Sequence, residues 1–384
     1  MSLGILTGVF PPETVEELVA LNGVTEQRRR ELPADVMVYF TIAMWLWRGS
    51  GYVEVLKRMT DALRVASWRG PASEWMAEIP NSSSITKARK RIGWPVMEDL
   101  FRSSIEPVAD AESGETWRGL APVAIDGATL DLPDTEANRG YFGGPTGGAF
   151  PQARFAAACE IATRRLIGAA VGSYDTGEKA LTLKMTDALG EGQVVIFDRG
   201  FCGYDLFARV RATGAEVIMR AGAQFQLKVQ KVLPDGSWIA HLNKPGKPSI
   251  KVRVIEYSVT STDTVAGETT TGETITLITS LLDHEVYPIE DFPDLYRQRW
   301  TSETVFGEVK TDLRGGTEVV FRSTSPDGVL AEFWGLMCLY QGISDVVDHV
   351  VFDAGLPPED AVSFKAATSF VRRSVSWTDA AISP

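Results

Sequence analysis

The chain has 384 residues, 44% of them hydrophobic and 23% charged, which is ordinary for a packed globular protein and leaves room for two or three domains. Thirty-eight Lys and Arg against 50 Asp and Glu give a formal charge of −12, which argues against a uniformly basic nucleic-acid binder. Cys159, Cys202 and Cys338 lie far apart, as do His241, His284 and His349, so neither a zinc spacing nor a local Ser-His-Asp arrangement is present and the thiols read as core residues.

Residues 1–13 show no cationic start and no long apolar run, and the longest apolar stretch, Val36 to Trp47, is too short to cross a bilayer. A cytoplasmic protein is expected. From Glu13 to about Ala111 the periodicity is helical, broken at Pro33, Gly49 to Gly51, Gly70-Pro71 and Pro80, which predicts an all-helical N-terminal domain over 1–116. Within it, Ser82 to Ser84 offer N-caps for a short helix ending near Gly93 and carrying Lys87, Arg89, Lys90 and Arg91. Such a helix after a turn suits a DNA groove, and a solvated charged face is the competing reading.

The texture changes near Trp117. Segments 123–132, 154–162 and 165–174 read as strands, 178–189 as a helix, 191–201 as a buried strand, 204–213 as a helix and 215–220 as a strand, a mixed α/β core over 117–221. Gly143, Gly144, Gly147 and Gly148 open no helix and read as turn residues. Residues 222–290 are turn-rich and β-like, a β-rich insertion whose stretch 241–254 holds Lys244, Lys247, Lys251 and Arg253 without an acid. The basic stretches can grip phosphates although the whole chain is acidic. The last part, 291–384, returns to helix, including a long apolar-faced one over 328–354.

Chemistry concentrates at three places. Asp126 follows VAI and Asp198 follows VVIF, positions where apolar residues are expected and where a buried carboxylate is costly unless satisfied. In 291–314, Tyr296, Arg299, Glu303 and Lys310 fall within an arc of roughly 60° on one helical face, flanked by Leu295, Phe306, Val309 and Leu313. One acid and base at such spacing is usually surface, but every member of this stripe can hold either a metal or a phosphate. Three carboxylates converging on one point would be relieved by hard divalent cations, and two Mg²⁺ ions about 4 Å apart would suit phosphodiester cleavage.

These segments resemble the DDE transposases of bacterial insertion sequences, of the insertion-sequence-4 type. That family's hallmark of Tyr, two residues, Arg, three residues, Glu, six residues, Lys is matched by Tyr296, Arg299, Glu303 and Lys310. VAIDGATLDLPDT is similar to the segment around the family's first catalytic Asp, at Asp126, and VVIFDRGF to the second, at Asp198. The similarity continues through PNSSSITKARKRIG, NRGYFGGP, AFPQAR, LPDGSW and FRSTSPDGVLAE. It implies an α/β fold with an RNase H-like catalytic core, a β-rich insertion before the catalytic Glu, and an all-helical N-terminal DNA-binding domain. It further implies metal-dependent cut-and-paste transposition with Asp126, Asp198 and Glu303 as catalytic metal ligands and two Mg²⁺ or Mn²⁺ ions as cofactor. Tyr296, Arg299 and Lys310 would hold the phosphates of double-stranded DNA at terminal inverted repeats, and the chain would act as a homodimer in a bacterial cytoplasm, at the nucleoid. Trp300 could stack on an unpaired base or pack in the core, both readings standing. Cys159-Glu160-Ile161-Ala162-Thr163-Arg164 departs from the family's Glu-Cys-Gly-Thr-His, and Ser383-Pro384 stands where a basic tail is common. The alternatives are therefore a truncated, catalytically defective DNA-binding remnant that inhibits transposition, or a host nuclease on the same fold.

Overall fold

The computed structural model describes residues 2–27, 32–65, 79–105, 116–222, 225–262, 269–316, 320–354 and 363–374. The N-terminal part folds as six helices: α1 (Ser2–Val9), α2 (Pro12–Leu21), α3 (Ala34–Leu46), α4 (Tyr52–Val65), α5 (Ser82–Ile92) and α6 (Pro95–Ser103). Every residue of α3 is buried, as its sequence ADVMVYFTIAMWL demands, since a helix apolar on all sides needs cover on all sides. The basic helix α5 forms as expected, but its cap is Asn81, whose side chain accepts from the Ser84 amide at 3.0 Å, and not one of the serines that follow. Gly93 ends it at φ 70°, a conformation that glycine adopts without strain.

The chain then lays down β1 (Ala121–Asp131), α7 (Glu136–Phe142), β2 (Gln152–Glu160), β3 (Leu166–Ser173), α8 (Glu178–Lys184), β4 (Gln193–Phe197), α9 (Tyr204–Arg211) and β5 (Glu216–Arg220). β6 (Lys231–Val232), β7 (Trp238–Leu242), β8 (Ile250–Thr262) and β9 (Thr269–Thr279) follow. The strands form one sheet in the order β3-β2-β1-β4-β5-β9-β8-β7-β6. β1 runs antiparallel to β2 and parallel to β4, and β4 runs parallel to β5. The β-rich segment is thus joined to the core by hydrogen bonds, because β9 pairs antiparallel with β5 from Ile218↔Thr279 to Arg220↔Leu277.

The sheet separates two apolar clusters. Period-two alternation sends Ala124, Ala128 and Leu130 of β1 into the larger one with the N-terminal helices, and Val123 and Ile125 into the other with α8 and α9. After a short 3-10 turn, α10 (Phe292–Gln298) and α11 (Thr301–Gly307) lead into a π-helix at Glu308–Leu313. The stripe of four polar residues therefore does not lie on one regular α-helix, and the arc calculated at 100° per residue does not describe it. The chain stays helical through Arg299 and Trp300, but the register is reset at that joint and again where i→i+5 bonding widens the coil. α12 (Pro326–Ala354) and α13 (Phe364–Ser374) close the chain.

α12 ties the parts together. It lies against α3 so closely that a Cβ at Gly335 would stand 3.0 Å from the Thr41 carbonyl, and Trp45 Nε1 donates to the Glu332 carbonyl at 2.7 Å. The Glu332 side chain, fully buried, accepts from Ser323 Oγ at 2.7 Å, the Arg322 amide at 2.9 Å and Arg89 at 3.4 Å. A buried carboxylate is tolerable only when satisfied in this way.

Candidate active site

The parallel ladder between β1 and β4 runs from Ala121↔Gln193 to Ala124↔Ile196 and there stops. Two residues beyond the last pair on each strand stand Asp126 and Asp198, in step with one another. Alternation turns both toward the cluster that holds Val305 and Phe306 of α11, the helix that carries Glu303. Backbone amides orient both aspartates: the Gly127 amide donates to Asp126 Oδ1 at 2.8 Å, and the Gly200 and Phe201 amides donate to Asp198 Oδ1 at 2.8 and 3.2 Å. Each thus has its second oxygen for other work.

Asp126 is half-buried, and burial raises its pKa above the ordinary carboxylate value. The Gly127 amide and Arg299 work against that rise, while the negative charges of Asp198 and Glu303 add to it. The other two acids therefore both act on Asp126 through space. Among the described residues, however, no three His, Cys, Asp or Glu side chains are gathered closely enough to hold one metal ion. The donor set itself fits a hard divalent cation: it is all oxygen, and its mutual repulsion is of the kind such a cation relieves.

Cations and rings surround the acids. Glu303 is exposed and bonded to Arg299 Nη2 at 3.2 Å, while Arg299 lies with its guanidinium carbon 5.9 Å from the centre of the Tyr296 ring. Both Tyr296 and Arg299 are buried, and the Arg299 Nε has no hydrogen-bond partner. Lys310 stands 5.9 Å from the Phe306 ring; burial lowers its pKa and Asp126 opposes that shift. Trp300 is 62% exposed, so of its two readings core packing is not the one realised.

Several cations expected on the DNA-facing surface are spent inside. Arg89 is buried, donating to Tyr52 Oη at 2.8 Å as well as to Ser323 and Glu332. Arg91 bonds Glu26 at 2.8 Å and the Leu32 carbonyl at 2.5 Å. Arg253 is 0% exposed and is held by Asp235, Ser237 Oγ at 2.8 Å and the Tyr287 carbonyl at 2.6 Å, so it is a strut of the β-rich segment. Lys87, Lys90 and Lys251 are exposed. The structure also adds residues that sequence reasoning passed over. Arg220, at the end of β5, bonds Glu273 at 2.5 Å and acts electrostatically on Tyr296; with Arg199, Phe225, Trp238 and Glu256 it lines a cleft of about 380 Å³ between β5 and the β-rich segment.

Two family comparisons match this chain. A family of insertion element 4 transposase N-terminal regions covers residues 1–102, and the transposase DDE domain family covers residues 117–341, a span that includes both aspartates, the exposed glutamate and the cations around them. The chain belongs to the DDE transposases. Among similar proteins, the transposase InsG for insertion sequence element IS4 of Escherichia coli (strain K12) is 25% identical over 339 residues, covering 86% of this chain and 73% of that protein. A putative transposase InsZ of the same strain is 25% identical over 211 residues, covering 53% and 66%. A cryo-EM structure of a piggyBac transposase synaptic complex with hairpin DNA aligns over 97% of this chain and 80% of that one, at 12% identity and a TM-score of 0.49. This transposase is an enzyme of a family that catalyses DNA cleavage and strand transfer. None of its described helices is long and apolar enough to cross a membrane.

Proposed function

We propose that Asp126, Asp198 and Glu303 are the catalytic carboxylates of this transposase and hold two Mg²⁺ or Mn²⁺ ions at the ends of its own element. The observation that carries the reading is the matched register of Asp126 and Asp198, two residues past the end of the β1–β4 ladder and turned toward the helix of Glu303. When bound, such cations activate an attacking water or 3′ hydroxyl and offset charge on the leaving oxygen. The protein's side chains supply the rest. Arg299 can turn its fork from Glu303 to a phosphate, Lys310 offers a point charge beside Asp126, and the buried Tyr296 ring sets the guanidinium plane. Trp300, outward-facing, is suited to stack on an unpaired base.

The strand order β3-β2-β1-β4-β5, with the first three antiparallel and the last two parallel to β1, supports an RNase H-like core. In this reading 1–116 bind the terminal inverted repeats, with Lys87 and Lys90 of α5 toward the backbone; 117–221 and 291–384 form the core; and 222–290, with Lys251, form a β-rich arm built onto the same sheet. A homodimer would pair two ends in the cytoplasm. The test is Mg²⁺-dependent nicking of a duplex bearing the element's terminal repeat. Glu303→Gln should lower the rate about a thousandfold, the ~4 kcal/mol that a well-placed cation supplies; undiminished cleavage would sink the assignment.

A further inference from the structure

A fourth carboxylate approaches the two aspartates from the far side of the sheet. Glu178, the first residue of α8, packs on the face of β1 toward which Gly127 points, opposite to the one that faces Glu303. A Cβ at Gly127 would stand 2.5 Å from Glu178 Cδ and 2.7 Å from its Oε1, so the carboxylate occupies the space that any other residue at 127 would need for its side chain. It does so next to Asp126, at the level where β1 and β4 have ceased to pair. Arg154 of β2, opposite Thr129 and on the same face as Gly127, is the neighbouring cation; its guanidinium lies 5.0 Å from the centre of the Tyr174 ring and its Nε is buried without a partner. Burial raises the Glu178 pKa, Arg154 opposes this, and Asp126 and Asp198 both add to it, so Glu178 is within electrostatic reach of both aspartates.

We propose that Glu178 is a fourth carboxylate of the catalytic site, giving an oxygen to the divalent cation held by Asp126 and Asp198, with Arg154 as its counter-charge. The inference rests on the reading of those two aspartates as cation ligands. Hard divalent cations take six or more oxygens, more than two aspartates supply, and a carboxylate entering from the second face adds one without crowding the side from which DNA must come. Gly127 is then the residue that keeps the passage open.

Mn²⁺ binding to the full chain, followed by the electron paramagnetic resonance of free Mn²⁺ and by calorimetry, tests this apart from DNA cleavage. Glu178→Gln should weaken Mn²⁺ binding about tenfold or more. Gly127→Ala, which displaces the carboxylate without removing it, should do the same, and the double variant should be no weaker than either single one, since both remove one interaction. Wild-type affinity in Glu178→Gln, or losses that add in the double variant, overturns the fourth carboxylate. Asp126→Asn separates the two levels: if it abolishes binding while Glu178→Gln leaves it intact, only the fourth carboxylate fails, and if it too leaves binding intact, the aspartates' assignment falls with it.

Discussion

Arg299 touches Glu303 on one side and lies over Tyr296 on the other, and in the proposed reading its planar fork turns from Glu303 to a phosphate. Replacing it with lysine keeps the charge and loses the fork. Arg299→Lys should weaken binding of an end duplex about tenfold, the ~1.5 kcal/mol of one charge-assisted hydrogen bond, read by fluorescence anisotropy on protein that still unfolds cooperatively. Glu308 gives a residue-scale prediction about pH. Its side chain is nearly buried, accepts from Tyr340 Oη at 3.2 Å and lies 3.6 Å from Arg164. Burial raises its pKa, and the nearby arginine and tyrosine only moderate the rise. The folded state thus keeps this proton to higher pH than the unfolded chain does. The stability it contributes is full below the ordinary glutamate value and is lost as pH rises through the raised one. Urea midpoints measured across that window should fall with pH in the wild type and should fall less steeply in Glu308→Gln.

At the scale of elements, α3, α5 and α12 meet at the buried Glu332, which collects bonds from Arg89, Ser323 and the Arg322 amide. Glu332→Ala should destabilise the protein by about 3–5 kcal/mol, because it strands a buried arginine, and chemical denaturation will show it. The same contacts explain what could be read in advance. Strands such as 193–197 and the helices around them follow from apolar runs and turn residues that are local in the chain, and Asp126 and Asp198 announced themselves by interrupting such runs. Arg89 and Arg253 did not announce their burial, because the groups that satisfy them are Glu332 and Ser323, hundreds of residues away, and Asp235 in a different turn. Glu178 opens a helix whose sequence gives no sign of a site, and only the bare backbone of Gly127 against it gives it another meaning. The π-helix has no residue signature at all, since packing rather than propensity decides between i→i+4 and i→i+5 bonding.

Across the whole molecule, an acidic chain must bind a polyanion through a few local cations. The exposed Lys87 and Lys90 on α5 are candidates, whereas Arg89 and Arg91 are engaged within the protein. Replacing both lysines by glutamine should weaken binding to every duplex alike and reduce the slope of log affinity against log salt by about two. A sheet shared by the core and the β-rich segment adds a mechanical constraint: the arm that carries Lys251 is joined to β1 and β4 through β5 and β9, so it cannot swing as a separate body without breaking hydrogen bonds.

The π-helix at Glu308–Leu313 lies between Glu303 and the long helix that braces the molecule. A turn of that kind holds about one residue more than an α-turn, so the chain carries there a single surplus residue of helical phase. Excising one residue between 308 and 313 would let the π-turn close to an α-turn with its flanks near their present phase, whereas the same cut in the regular helix before it would turn everything beyond by about 100°. Only the second cut would swing Lys310 away from Glu303. The π-turn is in this sense a phase setting: it takes up one residue of slack between Glu303 and Leu313, and a one-residue deletion is milder inside it than in the regular turn that precedes it.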